Sequence, residues 1–354
     1  MKNKHSATPS QGVFNTLAQN GTGLIETPAI LVNGKGSDLS NGKALKGKAK
    51  RKMITQKMVL NLIDVSKQNG TKEREKGYWN TYHCQSKIYT ANGRQYGKYC
   101  KNRFCTLCCA IRKAELINKY LPVIQEWKEP YFVTLTIKAF PLRYLRKAMK
   151  KVIAGFKFIL SKHRKKNQRG KGIRLVGIKA LECNFNPLKE TYNPHLHIFV
   201  ESKAIAEILI KEWLANWKGY TSYKAQYKRK VEDKERDLIE IIKYGTKIFT
   251  EPDVNNKAKM KGCNETRTIY AAALENIFKA MQGIRIFDRF GFNLPKEATK
   301  KETHTTLVTD FEEWVYDSKS FDWHNVNTGE TLAKYDPPFS LVTLLEMNID
   351  VERE

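Results

Sequence analysis

The chain has no uninterrupted apolar run near the length of a membrane-spanning helix and no lipidation motif, so a membrane anchor is not expected. It has no Gly-rich phosphate loop and no Walker lysine, which argues against an NTP-driven motor. No internal repeat is apparent. Seven cysteines, an odd number, and no secretory signal point to a reducing cytoplasm rather than a disulfide scaffold. Acidic side chains are scarce until late in the chain. Residues 1–300 carry 59 Lys/Arg against 24 Asp/Glu, whereas 301–354 carry four against twelve, within a net charge of +27. A field of that sign attracts polyanions and gives binding that weakens with salt. Nucleic acid is the expected partner, with an anionic membrane surface as the competing reading. Aromatics interleaved with cations, as in Tyr220-Thr-Ser-Tyr-Lys-Ala-Gln-Tyr-Lys-Arg-Lys230, would add stacking faces beside phosphate-binding charges.

Four of the cysteines have metal-like spacing. Cys84, Cys100, Cys105 and Cys108 form a candidate tetrahedral zinc set, with His83 or Cys109 as substitutes. A structural Zn²⁺ would brace a short basic segment that has few apolar residues of its own. Cys183 and Cys263 stand alone.

A second group has harder ligands. The segment 192–200 reads as a strand leaving an Asn-Pro turn, so His195 and His197 share one face. The run from Ile173 to Glu182 and the polar link Asn184–Glu190 would complete a hairpin that brings Glu182 beside them. Two imidazoles and a carboxylate suit a divalent cation, with coordination positions left open for a substrate oxygen. Asp237–Thr250 reads as a helix with Leu238, Ile241, Ile242, Gly245, Ile248 and Phe249 as its apolar stripe. Glu240, Tyr244 and Lys247 share the other side. A phenol held against a metal-bound phosphate can attack it, a nearby lysine offsets the charge, and a carboxylate one turn away can position or deprotonate water. These residues suggest a tyrosine-nucleophile DNA nickase.

In chain order, residues 1–57 read as a disordered basic tail ending in Lys43–Lys52, and 58–125 as the cysteine-rich, zinc-binding segment. Residues 126–292 hold a first strand at Tyr131–Ile137, a cationic helix to about Lys166 and the hairpin. A helix at 203–217, a strand at 220–231, the Tyr244 helix, a helix at Thr268–Gln282 and a last strand at Ile284–Phe287 follow. Residues 293–354 read as an acidic appended element. About five strands with antiparallel pairing favour an α+β fold over a parallel doubly wound sheet.

The order Phe132-Val-Thr-Leu-Thr136, then Glu182 with His195-Leu-His197, then Lys243-Tyr-Gly-Thr-Lys247 resembles the three motifs of HUH endonucleases. More closely, it resembles the single-tyrosine replication initiators of bacterial rolling-circle plasmids. The likeness runs from about residue 78 to 292, from Cys100-Lys-Asn-Arg-Phe-Cys-Thr-Leu-Cys108 with Arg112 to Gly283-Ile-Arg-Ile-Phe-Asp-Arg-Phe-Gly291. It implies a central antiparallel sheet flanked by helices, Mg²⁺ or Mn²⁺ on the His pair, and a covalent 5′-phosphotyrosine. It also implies that Glu240 assists the second cleavage, that single-stranded or hairpin origin DNA is the substrate, and that host helicase, polymerase and single-strand-binding protein are partners in a bacterial cytoplasm. Arg103, Arg112, Lys138, Lys243 and Arg285 are the candidate DNA-contacting cations. Asn193 stands where many relatives have the first histidine of His-Pro-His-x-His, and Thr106 where they often have proline. A relaxase or single-strand transposase would use the same chemistry. A noncatalytic zinc-containing nucleic-acid-binding protein is the alternative from another class; a histidine-triad hydrolase is disfavoured by Phe199, which occupies the place of its third histidine.

Overall fold

A computed structural model of the chain describes residues 13–20, 23–33, 36–186, 189–246, 271–295, 305–339 and 341–342. The N-terminal elements are β1 (Val13–Asn20), β2 (Gly23–Asn33), β3 (Ser37–Asp38), α1 (Gly42–Gln68), α2 (Lys72–Tyr82), β4 (Lys87–Ala91) and β5 (Arg94–Gly97). Next come α3 (Thr106–Gln125), β6 (Tyr131–Thr136), β7 (Phe140–Pro141), α4 (Leu142–Gln168), β8 (Gly177–Asn186), β9 (Thr191–Val200) and α5 (Lys203–Asn216). The remainder is β10 (Tyr227–Lys230), α6 (Lys234–Thr246), α7 (Ala271–Met281), β11 (Phe287–Phe290), β12 (Thr305–Thr309), β13 (Glu312–Asp317) and β14 (Asp322–Asn325). All named strand pairs are antiparallel, so the chain is α+β. Among the described residues no helix is long and apolar enough to cross a membrane.

The chain divides into two compact units. The first comprises residues 1–63, 70–108 and 300–346. Its sheets have the orders β14-β13-β4-β5-β3 and β1-β2-β12. Strand β13 pairs with β4, and β12 with β2, so residues 305–325 complete sheets begun near the N-terminus. The acidic C-terminal stretch is therefore built into this unit instead of being appended to the chain. Its Trp314, Tyr316 and Trp323 supply core that the cysteine-rich segment lacks.

The basic run Lys43–Lys52 also departs from the expected disordered tail, because it lies within α1. Leu45, Ala49 and Met53 recur every fourth residue and are buried. The charge in between is accommodated one group at a time. Lys52 is fully buried, and its ammonium donates to Tyr82 O (2.7 Å), Cys84 O (2.8 Å) and Ser86 Oγ (2.9 Å). Lys48 lays its Nζ over the rings of Trp323 (5.4 Å) and Tyr99 (6.0 Å). Burial lowers both amines, Lys48 to about 7 and Lys52 to about 8, against the raising influence of Cys84.

The second unit, residues 64–69, 109–299 and 347–354, is organised on a sheet of order β10-β6-β9-β8-β11, with β7 pairing to β9. Leu145, Met149, Val152, Phe156 and Ile159 form the buried stripe of α4 at helical spacing. They join Leu135, Leu181, Leu196 and Ile198 of the strands and Leu209 and Trp213 of α5 in one core. Ser202 caps α5, its Oγ accepting from Ile205 N at 3.5 Å. The expected hairpin is β8–β9, with β8 continuing to Asn186 before the turn. Two expected strands shift. Ile284 N bonds to Met281 O in the exit from α7, so β11 begins at Phe287. The 220–231 stretch is a 3-10 turn at Tyr223–Ala225 followed by the short β10, because Gln226 turns its amide back onto Thr221 Oγ1 and Ser222 O. Gly291, at φ +76°, is required where it stands, since a Cβ would fall 1.9 Å from Leu175 O.

Helix α6 is fastened to this sheet by charge as well as by Leu238, Ile241 and Ile242, all fully buried. Arg229 of β10 holds Asp237 with both guanidinium nitrogens, Nη1 to Oδ2 at 2.6 Å and Nη2 to Oδ1. Asp237 is buried, and the same guanidinium lies 5.2 Å over the Phe132 ring. Arg229→Ala is expected to lower unfolding free energy by about 2 kcal/mol, since it strands a buried carboxylate beside a partly exposed partner. Lys230→Ala, which breaks the exposed Lys230–Glu129 pair, should change it by less than about 0.5 kcal/mol. Urea denaturation compares the two, and equal effects would contradict the anchoring role.

Candidate active site

The face of the second sheet is set by register. On β9, His195 and His197 alternate with the buried Leu196 and so point to the same side. On β8, Glu182 stands directly opposite His195, and on β6, Thr136 and Thr134 stand opposite His195 and His197. The result brings Glu182, His195 and His197 together, all buried, with one ligand atom from each within 4.8 Å of the others. Glu182 Oε2 lies 3.2 Å from His197 Nε2 and 3.7 Å from His195 Nε2.

The other ring nitrogens are already engaged. His195 Nδ1 donates to Asn193 O at 2.9 Å, and His197 Nδ1 meets Thr134 Oγ1 at 3.2 Å. Bonding of Nδ1 to a carbonyl fixes the tautomer that leaves the Nε2 lone pair available, the usual second layer behind a metal-binding imidazole. Burial lowers the pKa of His197 below its ordinary 6.5, an effect opposed by the hydrogen bond to Glu182 and by the charges of Glu182 and Glu240. The neutral, ligating form is thereby favoured. One carboxylate and two neutral imidazoles could hold a divalent cation and leave coordination positions open.

Asn193 has a structural task. Its Nδ2 donates to Ile137 O at 2.6 Å and its Oδ1 accepts from Thr136 Oγ1 at 3.1 Å, tying the start of β9 to the end of β6. Thr134 and Thr136 belong to the Phe132–Thr136 motif, and their part behind the histidines is set by strand pairing. They repeat at the same spacing of two as the histidines.

Helix α6 brings Glu240, half-buried, close enough for its charge to act on His197. Position 244 lies one turn further along the same helix. The side chains of Lys243 and Tyr244, and all of Lys247, lie outside the described residues, as do Ile248, Phe249 and Cys263. Phe132 connects the helix anchor to the metal-binding face, its ring 5.7 Å from that of His197 and beneath Arg229.

The second metal-like group lies in the first unit. The sulfurs of Cys84, Cys100, Cys105 and Cys108 are within 4.8 Å of one another, with Cys84–Cys108 at 3.7 Å and Cys100–Cys108 at 3.6 Å. Zn–S bonds of about 2.3 Å in a tetrahedron require sulfurs about 3.8 Å apart, so the set fits zinc. Backbone N–H groups of Cys100 and Lys101 point at Cys84 Sγ (3.4 Å) and Cys108 Sγ (3.3 Å), as suits thiolates. The two considered substitutes stay out of the cluster. His83 stacks on Trp79, and Cys109 accepts from Arg112 at 3.9 Å. Thr106 also explains its own presence, because its backbone N–H donates to Thr55 Oγ1 at 3.1 Å, a bond that proline cannot make. Its hydroxyl donates to Arg51 O at 2.7 Å.

The candidate DNA-contacting cations differ in exposure. Lys138 is exposed, Arg285 is exposed and paired with Asp288 at 3.3 Å, and Arg103 and Arg112 are half-buried. Cys183 is buried and apart from both groups.

No family model matches the chain. No solved structure matches it. It is similar to three curated proteins, each named Protein rep. One, from Staphylococcus aureus, is 29% identical over 180 residues, which is 46% of this chain and 73% of that protein. One from Bacillus amyloliquefaciens is 26% identical over 142 residues, covering 37% of this chain and 38% of the relative. A third, from a Bacillus species, is 25% identical over 142 residues and is matched over 42% of its length. The chain thus spans well under half of the latter two. The likeness supports a Rep-type replication protein.

Two metal measurements follow from the geometry. Elemental analysis should find about one zinc per chain, and Cys105→Ser should lose it together with thermal stability; full zinc content in that variant would remove the cluster from this role. Calorimetric titration with Mn²⁺ should show one site, lost in His195→Ala and in His197→Ala. Its affinity should hold above pH 6.5 and weaken as pH falls below, because protonation removes the lone pair and occurs late at a histidine whose pKa is lowered.

Proposed function

We propose that the chain is a plasmid replication initiator of HUH type that nicks one DNA strand and rejoins it through a phosphotyrosine. The observation that carries this reading is the convergence of Glu182, His195 and His197 on one sheet face, with helix α6 and Glu240 beside them. The similarity to proteins named Rep, over part of their length, supports the biological setting.

Glu182, His195 and His197 would hold the divalent cation, which supplies Lewis acidity toward the scissile phosphate. The Tyr244 phenol oxygen attacks phosphorus. The bond from phosphorus to the 3′ oxygen breaks, the phenol proton passes to solvent or base, and the departing oxygen takes up a proton as a 3′-OH primer. The new tyrosyl ester retains the energy of the broken one, so rejoining needs no nucleotide. Lys247 offsets the negative charge that develops on the phosphate, and Lys243 adds to the binding field. Glu240 accepts a proton from the nucleophile of the second cleavage. Thr134 and Asn193 act through the histidines, holding their rings so that Nε2 faces the substrate. Origin DNA in single-stranded or hairpin form is the substrate, and a host helicase, polymerase and single-strand-binding protein would extend the primer.

Hairpin oligonucleotides from the chain's own replicon, labelled at the 3′ end, incubated with Mn²⁺ and run on a denaturing protein gel, test the reading. Wild type should give a labelled covalent adduct. Tyr244→Phe should give none, a loss of about 10³-fold or more, while DNA affinity stays within about twofold. His197→Ala should lose the Mn²⁺-dependent cleavage. Binding without adduct or scission by wild type would shift the function to noncatalytic nucleic-acid binding, and adduct formation by Tyr244→Phe would move the nucleophile elsewhere.

A further inference from the structure

Helix α4 carries a second stripe beside its core-facing one. Tyr144, Lys147, Lys151 and Phe158 follow at spacings of three, four and seven, so they share a face over about 21 Å of helix. The stripe lines a cleft of about 880 Å³ whose other wall is Trp217, Lys218 and Tyr220. Tyr144, Phe158 and Tyr220 are 45%, 59% and 53% exposed, which is unusual for rings of this size gathered at one place. The three lysines are exposed, and no acidic side chain lines the cleft.

The cleft is built, not incidental. Gly155 lets Trp217 approach the helix, since a Cβ there would meet Trp217 Nε1 at 3.3 Å. The Trp217 ring packs on Trp213 (5.5 Å) and Tyr220 (6.4 Å), which sets its orientation. The wall is also tied to the end of β6, the neighbour of the strand that carries His195 and His197. Tyr220 O accepts from Lys138 N at 2.8 Å, and the carbonyl of Thr136, the residue paired with His195, accepts from Trp213 Nε1 (3.0 Å) and Thr221 Oγ1 (2.8 Å).

We propose that this cleft binds unpaired DNA, with bases stacked on Tyr144, Phe158, Trp217 and Tyr220 and phosphates paired with Lys147, Lys151 and Lys218. Exposed rings interspersed with cations and no acidic lining match a strand that presents base faces and phosphates together. A duplex keeps its base faces stacked inside and offers only its phosphates, so the rings select the single strand. The cleft adjoins the end of β6, where Thr136 pairs with His195, on the face of the sheet that α4 and α5 cover. The inference rests on DNA being the substrate but not on Tyr244 being the nucleophile.

Fluorescence anisotropy of the full chain with a labelled mixed-sequence oligonucleotide, single-stranded and as its blunt duplex, tests it across a salt series. Tyr144→Ala/Phe158→Ala should weaken single-strand binding about tenfold or more, with duplex affinity within about twofold. Lys147→Ala/Lys151→Ala should lower the single-strand salt slope by about 1.4, the value for two lost phosphate contacts. All four side chains are exposed, so melting temperatures should match wild type. Unaltered single-strand affinity and slope, or equal losses on single strand and duplex, would overturn the proposal. Wild-type failure to form a covalent adduct would sink the nickase reading alone. Normal adduct formation with unaltered binding by the cleft variants would sink the cleft alone.

Discussion

The candidate site depends on the pairing register of three strands. His195 lies between Glu182 on β8 and Thr136 on β6, and every metal-facing contact follows from that alignment. A slip of one residue would turn His195 and His197 into the core and put Leu196 in their place. The register is held by burial on one face, where Leu135, Leu181 and Leu196 pack with no exposure, and by polar ties on the other. Asn193 is the most telling of these, because it binds Thr136 and Ile137 at the point where β9 begins. The residue at this position thus fixes the strand end instead of offering a further imidazole.

Two metal-like groups with different chemistry are kept in separate units. Four sulfurs at tetrahedral spacing suit a soft ion with a closed shell, which would serve folding. A carboxylate and two imidazoles could hold an ion with open positions, which would serve a substrate. Helix α6 is linked to the second group through a chain of unlike contacts. Asp237 binds Arg229, Arg229 lies over Phe132, and Phe132 packs beside His197. Charge, cation–π and ring contacts therefore bear on the same few side chains, so a change at any one is felt at the metal-binding face.

Positive charge is used in two ways that composition does not separate. Lys48 and Lys52 are buried in the first unit, one against aromatic rings and one fully hydrogen-bonded beside the cysteine cluster. Buried as they are, neither is available to a polyanion. Lys147, Lys151 and Lys218 are exposed and face a cleft with no acidic lining. Net charge counts all five alike.

Local pattern alone was enough for the hairpin, the shared face of His195 and His197, the buried stripe of α6 from Leu238 to Ile242, and the cysteine spacing. Each of these is a matter of period two, period 3.6 or short loop length, which a chain expresses within a few residues. The α+β class followed from the same periods. Tertiary structure decided what depends on distant partners. Lys43–Lys52 reads as a solvated tail until Trp323 and Tyr99 are placed over Lys48, and 305–325 reads as an appendage until it pairs with β2 and β4. The choice of Cys84 over His83 and Cys109, the task of Asn193 and the anchoring of α6 by Arg229 are likewise outcomes of strand order and packing. The physical reason is that side-chain periodicity is a property of one element, whereas the compensation of a buried charge or the assembly of a ligand set requires groups that the chain brings together only by folding.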